Sequence, residues 1–360
     1  MKKLLKLCAG ADISMDDFHV KLLGLTLADH AEKSCGKHKF MNTPKGHEEF
    51  ADWLDTKNPD GLKLTVVMEA TGVYYEALAY ALHERGFAVS VQLPNKIKHF
   101  VRSYNENSKT DEIDAVAIAR FGLQRSKLRI WEPFSKMSRM LKLLSREYQQ
   151  VDIKKSRAGS QLHSASKSKG GSAKTQVRLT ELITLLDRQK QSILEEMEEL
   201  LSEDKELARG IEILTSIYGV ANKTAFAIMG ETDGFRLFKN RGQLIKYAGY
   251  DVVYKQSGTS VNRKTRISKR GNGLIRKALF FPSMEARKTG IFKEVYDRQY
   301  ERSLCKMSAL VAVQRKLLII MYSLIKKDEL YLEDYHKHDR IHQVYKEADQ
   351  LESWPAVAAS

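Results

Sequence analysis

The chain has 360 residues, 42% of them hydrophobic, and sets 60 Lys and Arg against 45 Asp and Glu for a net charge of +15. That content excludes a disordered chain, and the length allows two or three domains. The cation excess points to a polyanionic partner, most often nucleic acid, while the scattered cysteines Cys8, Cys35 and Cys305 exclude a metal knuckle and fit a reducing cytoplasm.

The start, MKKLLKLCAGAD, begins like a leader, but Lys6 interrupts the apolar run and Asp12 ends it, so a first strand is expected. LLKLCAGADIS, DDFHVKLLGLTLADH and SCGKHKFMNT read as three strands, the first two joined as a hairpin by the turn from Ser14 to Asp17. PKGHEEFADWLDT is helical, with Pro44 in its first turn. LKLTVVMEATG has the continuous apolar run of a strand buried on both faces. YYEALAYALHERG is a helix closed by Gly86, FAVSVQL is a strand, and two helices follow up to Arg125. Three strands in a meander followed by βαβα predict an α/β domain over residues 1–130, with the mixed sheet of an RNase H-like (RuvC-like) fold.

Over 131–207 the period changes. Met137, Leu141, Leu144, Tyr148 and Val151 step by four and three, as do Leu179, Leu182 and Leu186, then Ile193, Met197 and Leu200. Both read as coiled-coil seams and predict an antiparallel helical hairpin. Between them, residues 154–178 hold seven Lys or Arg and no acid, with many Ser and Gly, and predict a flexible basic tip. Its cations, Lys154, Lys155, Arg157, Lys167, Lys169 and Lys174 among them, are candidates for nucleic-acid contact, with a solvated linker as the alternative. Residues 208–327 read as mainly α-helical. ILTSIYGVANKTAFAIMGE resembles a helix-hairpin-helix, and residues 236–277 hold twelve Lys or Arg against one acid, Asp251. The apolar run LLIIMYSLI is too short for a membrane span, and 328–360 reads as a polar tail.

Four acids stand where apolar groups are expected. Asp12 and Glu69 end predicted strands, and carboxyl ends of strands are where open α/β sheets build sites. Asp111 and Asp114, three apart, share one helix face. Two plainer readings compete: the pair as a helix start capped by Thr110, and Asp12 as a turn residue; Glu69 is harder to dismiss, since a buried glutamate needs a partner. In an RNase H-like sheet all four converge. Two carboxylates ~5 Å apart repel by roughly 3 kcal/mol at an effective dielectric of 20, so four require a cation. All-oxygen ligands select Mg²⁺ or Mn²⁺ over zinc.

GADIS, VVMEATG and KTDEIDAVAIA resemble the DEDD motif of the bacterial IS110 insertion-sequence family, and LIKYAGYDVVYKQSGTSVNRKTRISKRGNGLIRKAL resembles its C-terminal transposase domain. The resemblance implies a recombinase that excises and inserts its own element in the bacterial cytoplasm, at the nucleoid. It implies that Asp12, Glu69, Asp111 and Asp114 hold Mg²⁺ (or Mn²⁺) and that Ser257 forms a phosphoserine ester with DNA. It further implies a site shared between protomers of a dimer or tetramer, and a structured non-coding bridge RNA that pairs with donor and target DNA. On the residues alone, the Ser257–Gly258 pair is a turn between basic segments, and Ser260 is a competing hydroxyl. Lys255, Arg263, Lys264 and Arg266 would supply the cationic surroundings that activate a hydroxyl, and Lys269 and Arg270 are further candidates for nucleic-acid contact. Two other readings stay open: a metal-dependent junction nuclease in which water attacks, and a non-catalytic RNA-binding protein on a degenerate nuclease fold.

Overall fold

Strand β1 (Leu4–Ile13) lies at the centre of a five-stranded sheet because both of its faces are apolar. Leu7, Ala9, Ala11 and Ile13 enter one hydrophobic cluster and Cys8 enters another on the opposite face. Around β1 the computed structural model places β2 (Asp17–Thr26), β3 (Glu32–Met41), β4 (Leu64–Glu69) and β5 (Ala88–Gln92) in the order β3-β2-β1-β4-β5. β1 runs antiparallel to β2 and parallel to β4, and β5 is parallel to β4. Helices α1 (Pro44–Lys57) and α2 (Tyr74–Glu84) cover one face through Phe50, Leu54, Leu78 and Leu82. Helices α3 (Pro94–Arg102) and α4 (Asp111–Gln124) cover the other through Ile97, Ile118 and Phe121. This mixed sheet fits the RNase H-like architecture expected from the order of elements.

The structure describes residues 3–104, 111–257 and 261–332, without the side chains of 111–113, 254–257 and 261–265. Thr110 and Ser260, and the expected tail from 333 onward, lie outside the described residues. The chain divides into two units, the first ending at Pro133 and the second beginning at Phe134.

The second unit opens with two long helices, α5 (Lys136–Lys167) and α6 (Ala173–Glu203), which run antiparallel. The flexible tip expected over 154–178 is confined to the short turn between them. Serines that would favour a loop instead bond back to carbonyls one turn earlier, Ser156 to Asp152, Ser160 to Ser156 and Ser164 to Ser160, so the helix continues. The seam on α6 also differs from the expected one. Leu182 is exposed, and the inward line passes through the half-buried Ile183 and Lys190 and the buried Leu186, Ile193, Met197 and Leu200 in unbroken steps of three and four. Lys190 belongs on that line because its ammonium pairs with Asp152 and lies over the Tyr148 ring.

The rest of the unit is α7 (Lys205–Thr215), α8 (Asn222–Thr232), α9 (Arg241–Ala248), a β6 (Val252–Ser257) and β7 (Val261–Ile267) ribbon, α10 (Gly273–Ala278), α11 (Phe280–Ala286), α12 (Gly290–Ser303) and α13 (Lys306–Lys327). Leu141 and Leu200 of the hairpin share one hydrophobic cluster with Phe226, Tyr250 and Leu317, so the hairpin base and the helical region have a common core. By length and composition α13 could cross a membrane, contrary to the reading of its apolar run. It serves here as the core helix, with Val313, Leu317, Leu318 and Met321 fully or almost fully buried.

Candidate active site

Strand register brings the first two acids together. Ala11 aligns with Met68 across the parallel β1–β4 pair, so Asp12 and Glu69, the next residue on each strand, come side by side. Ala11 and Met68 are fully buried in the α1–α2 layer. Alternation therefore turns Asp12 and Glu69 to the opposite face, the one that α4 covers. Both are half-buried, less deeply than the burial expected for Glu69.

Glycines fix the path of α4 over that face. A Cβ on Gly10 would stand 2.2 Å from the Ala119 nitrogen and 2.4 Å from the Ala115 oxygen, and one on Gly122 would meet the Cys8 sulfur at 2.3 Å. As β1 advances from Cys8 to Gly10 to Asp12, α4 is read backwards, from Gly122 to Ala119 and Ala115. The next turn in that direction carries Asp114 and Asp111, so the N-terminal end of α4 lies toward Asp12. Asp114 is half-buried there, and the Asp111 side chain is outside the described residues. Cys8, on the same face, is no candidate nucleophile: burial pushes its thiol up to about 12.

Among the described residues, no three His, Cys, Asp or Glu side chains close into a metal cage. The acids described on this face, Asp12, Glu69 and Asp114, offer carboxylate oxygens, the kind of group that suits a hard divalent ion.

Ser257 is the last residue of β6, opposite Val261 of β7, in a β-ribbon that the sequence did not predict; Gly258, the other residue of the expected turn, lies outside the described residues. The hydroxyl of Ser257 and the side chains of Lys255, Arg263 and Lys264 lie outside the described residues, whereas Arg266, Lys269 and Arg270 are exposed. The ribbon's root is held firmly. Ser268 N–H donates to the Asp251 oxygen at 2.7 Å, Asn272 N–H to Tyr247 at 2.7 Å, and the Arg276 guanidinium to the Ala248 carbonyl at 2.6 Å. Asn272 also caps α10 and donates from Nδ2 to Glu231 Oε2 at 2.6 Å. Glu231, 1% exposed, takes a forked pair from Arg146 of α5 at 2.6 and 3.0 Å. Sequence reading missed this hub. Its signal was a single acid in the apolar stretch AFAIMGET.

On the hairpin, Lys154, Arg157, Lys167, Lys169 and Lys174 are exposed, and Lys155 is engaged by Asp187. If the free-standing cations meet phosphates, neutralising Arg157, Lys167, Lys169 and Lys174 flattens the slope of log affinity against log salt by roughly 3, at about 0.7 to 0.9 per contact. Filter binding across a salt series measures this, and an unchanged slope makes the hairpin end a solvated surface.

Residues 9–167 match a DEDD family model described as transposase, and residues 211–297 match the model of the transposase IS116/IS110/IS902 family. The pilin gene-inverting protein of Moraxella bovis is 26% identical over 334 residues, covering 91% of this chain and 98% of that protein. Its counterpart from Moraxella lacunata is 27% identical over 307 residues, covering 83% and 91%. Among solved structures, T. thermophilus RuvC in complex with Holliday junction substrate is 12% identical, covering 35% of this chain and 99% of that one with a TM-score of 0.27.

Proposed function

This chain belongs to the IS110 family of transposases and is an enzyme acting on DNA, and from that premise we propose that it excises and inserts a mobile element through a DNA ester on Ser257. One observation carries the reading: Asp12 and Glu69 stand side by side on the face that the Asp114 end of α4 approaches, all within the residues that match the DEDD model.

Asp12, Glu69, Asp111 and Asp114 would hold Mg²⁺ or Mn²⁺, which supplies Lewis-acid stabilisation of phosphoryl oxygens when bound. The Ser257 oxygen attacks phosphorus, its proton leaves to a base, and the bond from phosphorus to the departing deoxyribose oxygen breaks. The serine ester keeps the phosphodiester energy, so a hydroxyl from a second strand can reverse the step and join new ends. Excision, insertion and inversion, the last being the reaction for which the Moraxella relatives are named, differ only in which ends are rejoined. The family resemblance adds a bridge RNA that pairs with donor and target DNA, and an assembly of two or four protomers. The exposed cations of α5 and α6 are available to RNA or DNA phosphates.

The test is a substrate with a nicked or mismatched centre. It should trap a protein–DNA adduct that survives denaturing electrophoresis. Ser257→Ala should lose adduct and recombination while still binding DNA, and Ser260→Ala should keep the adduct. Normal cleavage by Ser257→Ala, with no adduct in the wild type, would establish water as the nucleophile and overturn the serine mechanism.

A further inference from the structure

We propose that the face of β2 and β3 beside Asp12 is a second nucleic-acid site, a track of His19, Lys21, Lys37 and Lys39 that carries the phosphates of the DNA strand entering the acidic pocket. The proposal rests on the reading of that pocket as the place where DNA is cut.

Register lays the track out. Asp12 of β1 aligns with His19 of β2, and His19 with Lys39 of β3; one row back, Gly10 aligns with Lys21, and Lys21 with Lys37. Phe18, Val20, Leu22 and Phe40 point into the α1–α2 layer, so the residues alternating with them share the face of Asp12. Neighbouring strands lie about 4.8 Å apart. Lys39 therefore stands on the order of 10 Å from Asp12 across the sheet, and the two rows are roughly 6.7 Å apart along the strands. A strand of phosphates crossing from the sheet edge to Asp12 would pass Lys39 and His19 in one row and Lys37 and Lys21 in the next.

Among the described residues, α4 leaves the end of the face nearest Asp12 uncovered. Helix α4 covers the face at Cys8, Gly10 and Leu23 and is tied to the far end of β3 by Arg120 and Glu32 at 2.9 Å. Beyond Gly10, toward the β1–β2 turn, Lys39 is exposed and His19 half-exposed, and in the row of Gly10 itself Lys37, at the sheet edge, is exposed and Lys21 half-exposed. Among the described residues Asp17 shares the strip: its Oδ2 lies 2.8 Å from Lys39 Nζ, yet the Lys39 side chain is still 54% exposed. Lys21 Nζ donates to the Ser34 hydroxyl at 2.8 Å, which leaves its charge unneutralised by that contact.

The plain alternative is that lysines guard an edge strand against pairing with another chain. That accounts for Lys37 and Lys39 on β3, the edge strand, but not for His19 and Lys21 on β2, which is paired on both sides.

The experiment uses the full chain with a labelled single-stranded DNA, a duplex of the same sequence and the matching RNA. Lys37→Gln with Lys39→Gln should lower the slope of log affinity against log salt for DNA by roughly 1.5, two contacts at about 0.7 to 0.9 each. The same pair should raise KM for cleavage with kcat unchanged. Lys45→Gln with Lys57→Gln, on α1 and so across the sheet, removes the same charge and should leave the slope as it is. An equal fall in both pairs, no fall in either, or a loss confined to RNA each overturns the track. If wild-type protein binds and cuts DNA in those cases, the proposed function stands without it. If wild type shows no salt-dependent DNA binding, both fail together.

Discussion

Asp12→Ala, Glu69→Ala and Asp114→Ala are each expected to lower DNA strand cleavage by on the order of 10³-fold or more, with a melting temperature at or above that of the wild type. The loss follows from what a ligand supplies: a metal ion worth several kcal/mol of transition-state stabilisation loses its place, and each 1.36 kcal/mol is tenfold in rate. The retained fold follows from electrostatics. These carboxylates are only half-buried, and Asp12 and Glu69 stand side by side by register, so truncating one should remove repulsion without opening a buried apolar cavity. Gly10→Ala tests the geometry without touching a ligand. Its Cβ would press on the backbone of α4 at Ala115 and Ala119, and a helix backbone cannot yield as a side chain can. Lifting α4 carries Asp111 and Asp114 away from Asp12, so cleavage should fall here too, by a variant that keeps all four acids. The measurement is Mg²⁺-dependent cleavage beside a thermal melt, and full activity in any of the three acid variants would falsify the shared site.

Much of this was legible in the sequence because short-range pattern and burial agree. The alternation in β2 and the unbroken apolar run of β4 read as strands, and the order of elements left few sheets to choose from. That Asp12 and Glu69 would meet needed the β1–β4 register, which no local pattern encodes. The basic track was hidden for the same reason. His19, Lys21, Lys37 and Lys39 are ordinary polar positions until register puts His19 and Lys39 in the row of Asp12 and Lys21 and Lys37 in the row of Gly10. Other differences come from tertiary contacts overriding local preference. The serines of α5 favour loops in isolation, but Ala158 and Val151 are buried in the second unit and hold the helix on course. Leu182 looked like a seam residue because it is apolar, while Lys190, which is on the seam, is charged; Asp152 and Tyr148 decide the matter, and both are on the other helix.

Glu231→Ala is expected to destabilise the second unit by about 3 kcal/mol, the lower end of the cost of breaking a buried ion pair, and so to lower its melting temperature by roughly 6 to 12 °C. Glu231 is all but inaccessible, while the Arg146 side chain is 43% exposed, so water can partly replace the lost partner for the arginine. Asn272, itself half-buried, also loses the acceptor of its Nδ2, next to the cap of α10. The loss therefore spreads along two paths. One reaches the hairpin base through Arg146. The other reaches the root of the Ser257 ribbon, because Asn272 also holds Tyr247 and the start of α10. Glu231→Gln keeps an acceptor and the shape and should lose less than Glu231→Ala. A double-mutant cycle measures the pair itself. Arg146→Ala and Glu231→Ala together should cost less than the sum of the two by more than about 1 kcal/mol, since each alone strands the other's partner. Strict additivity in chemical denaturation would mean that the two side chains do not depend on each other, and the hub would then be packing rather than charge.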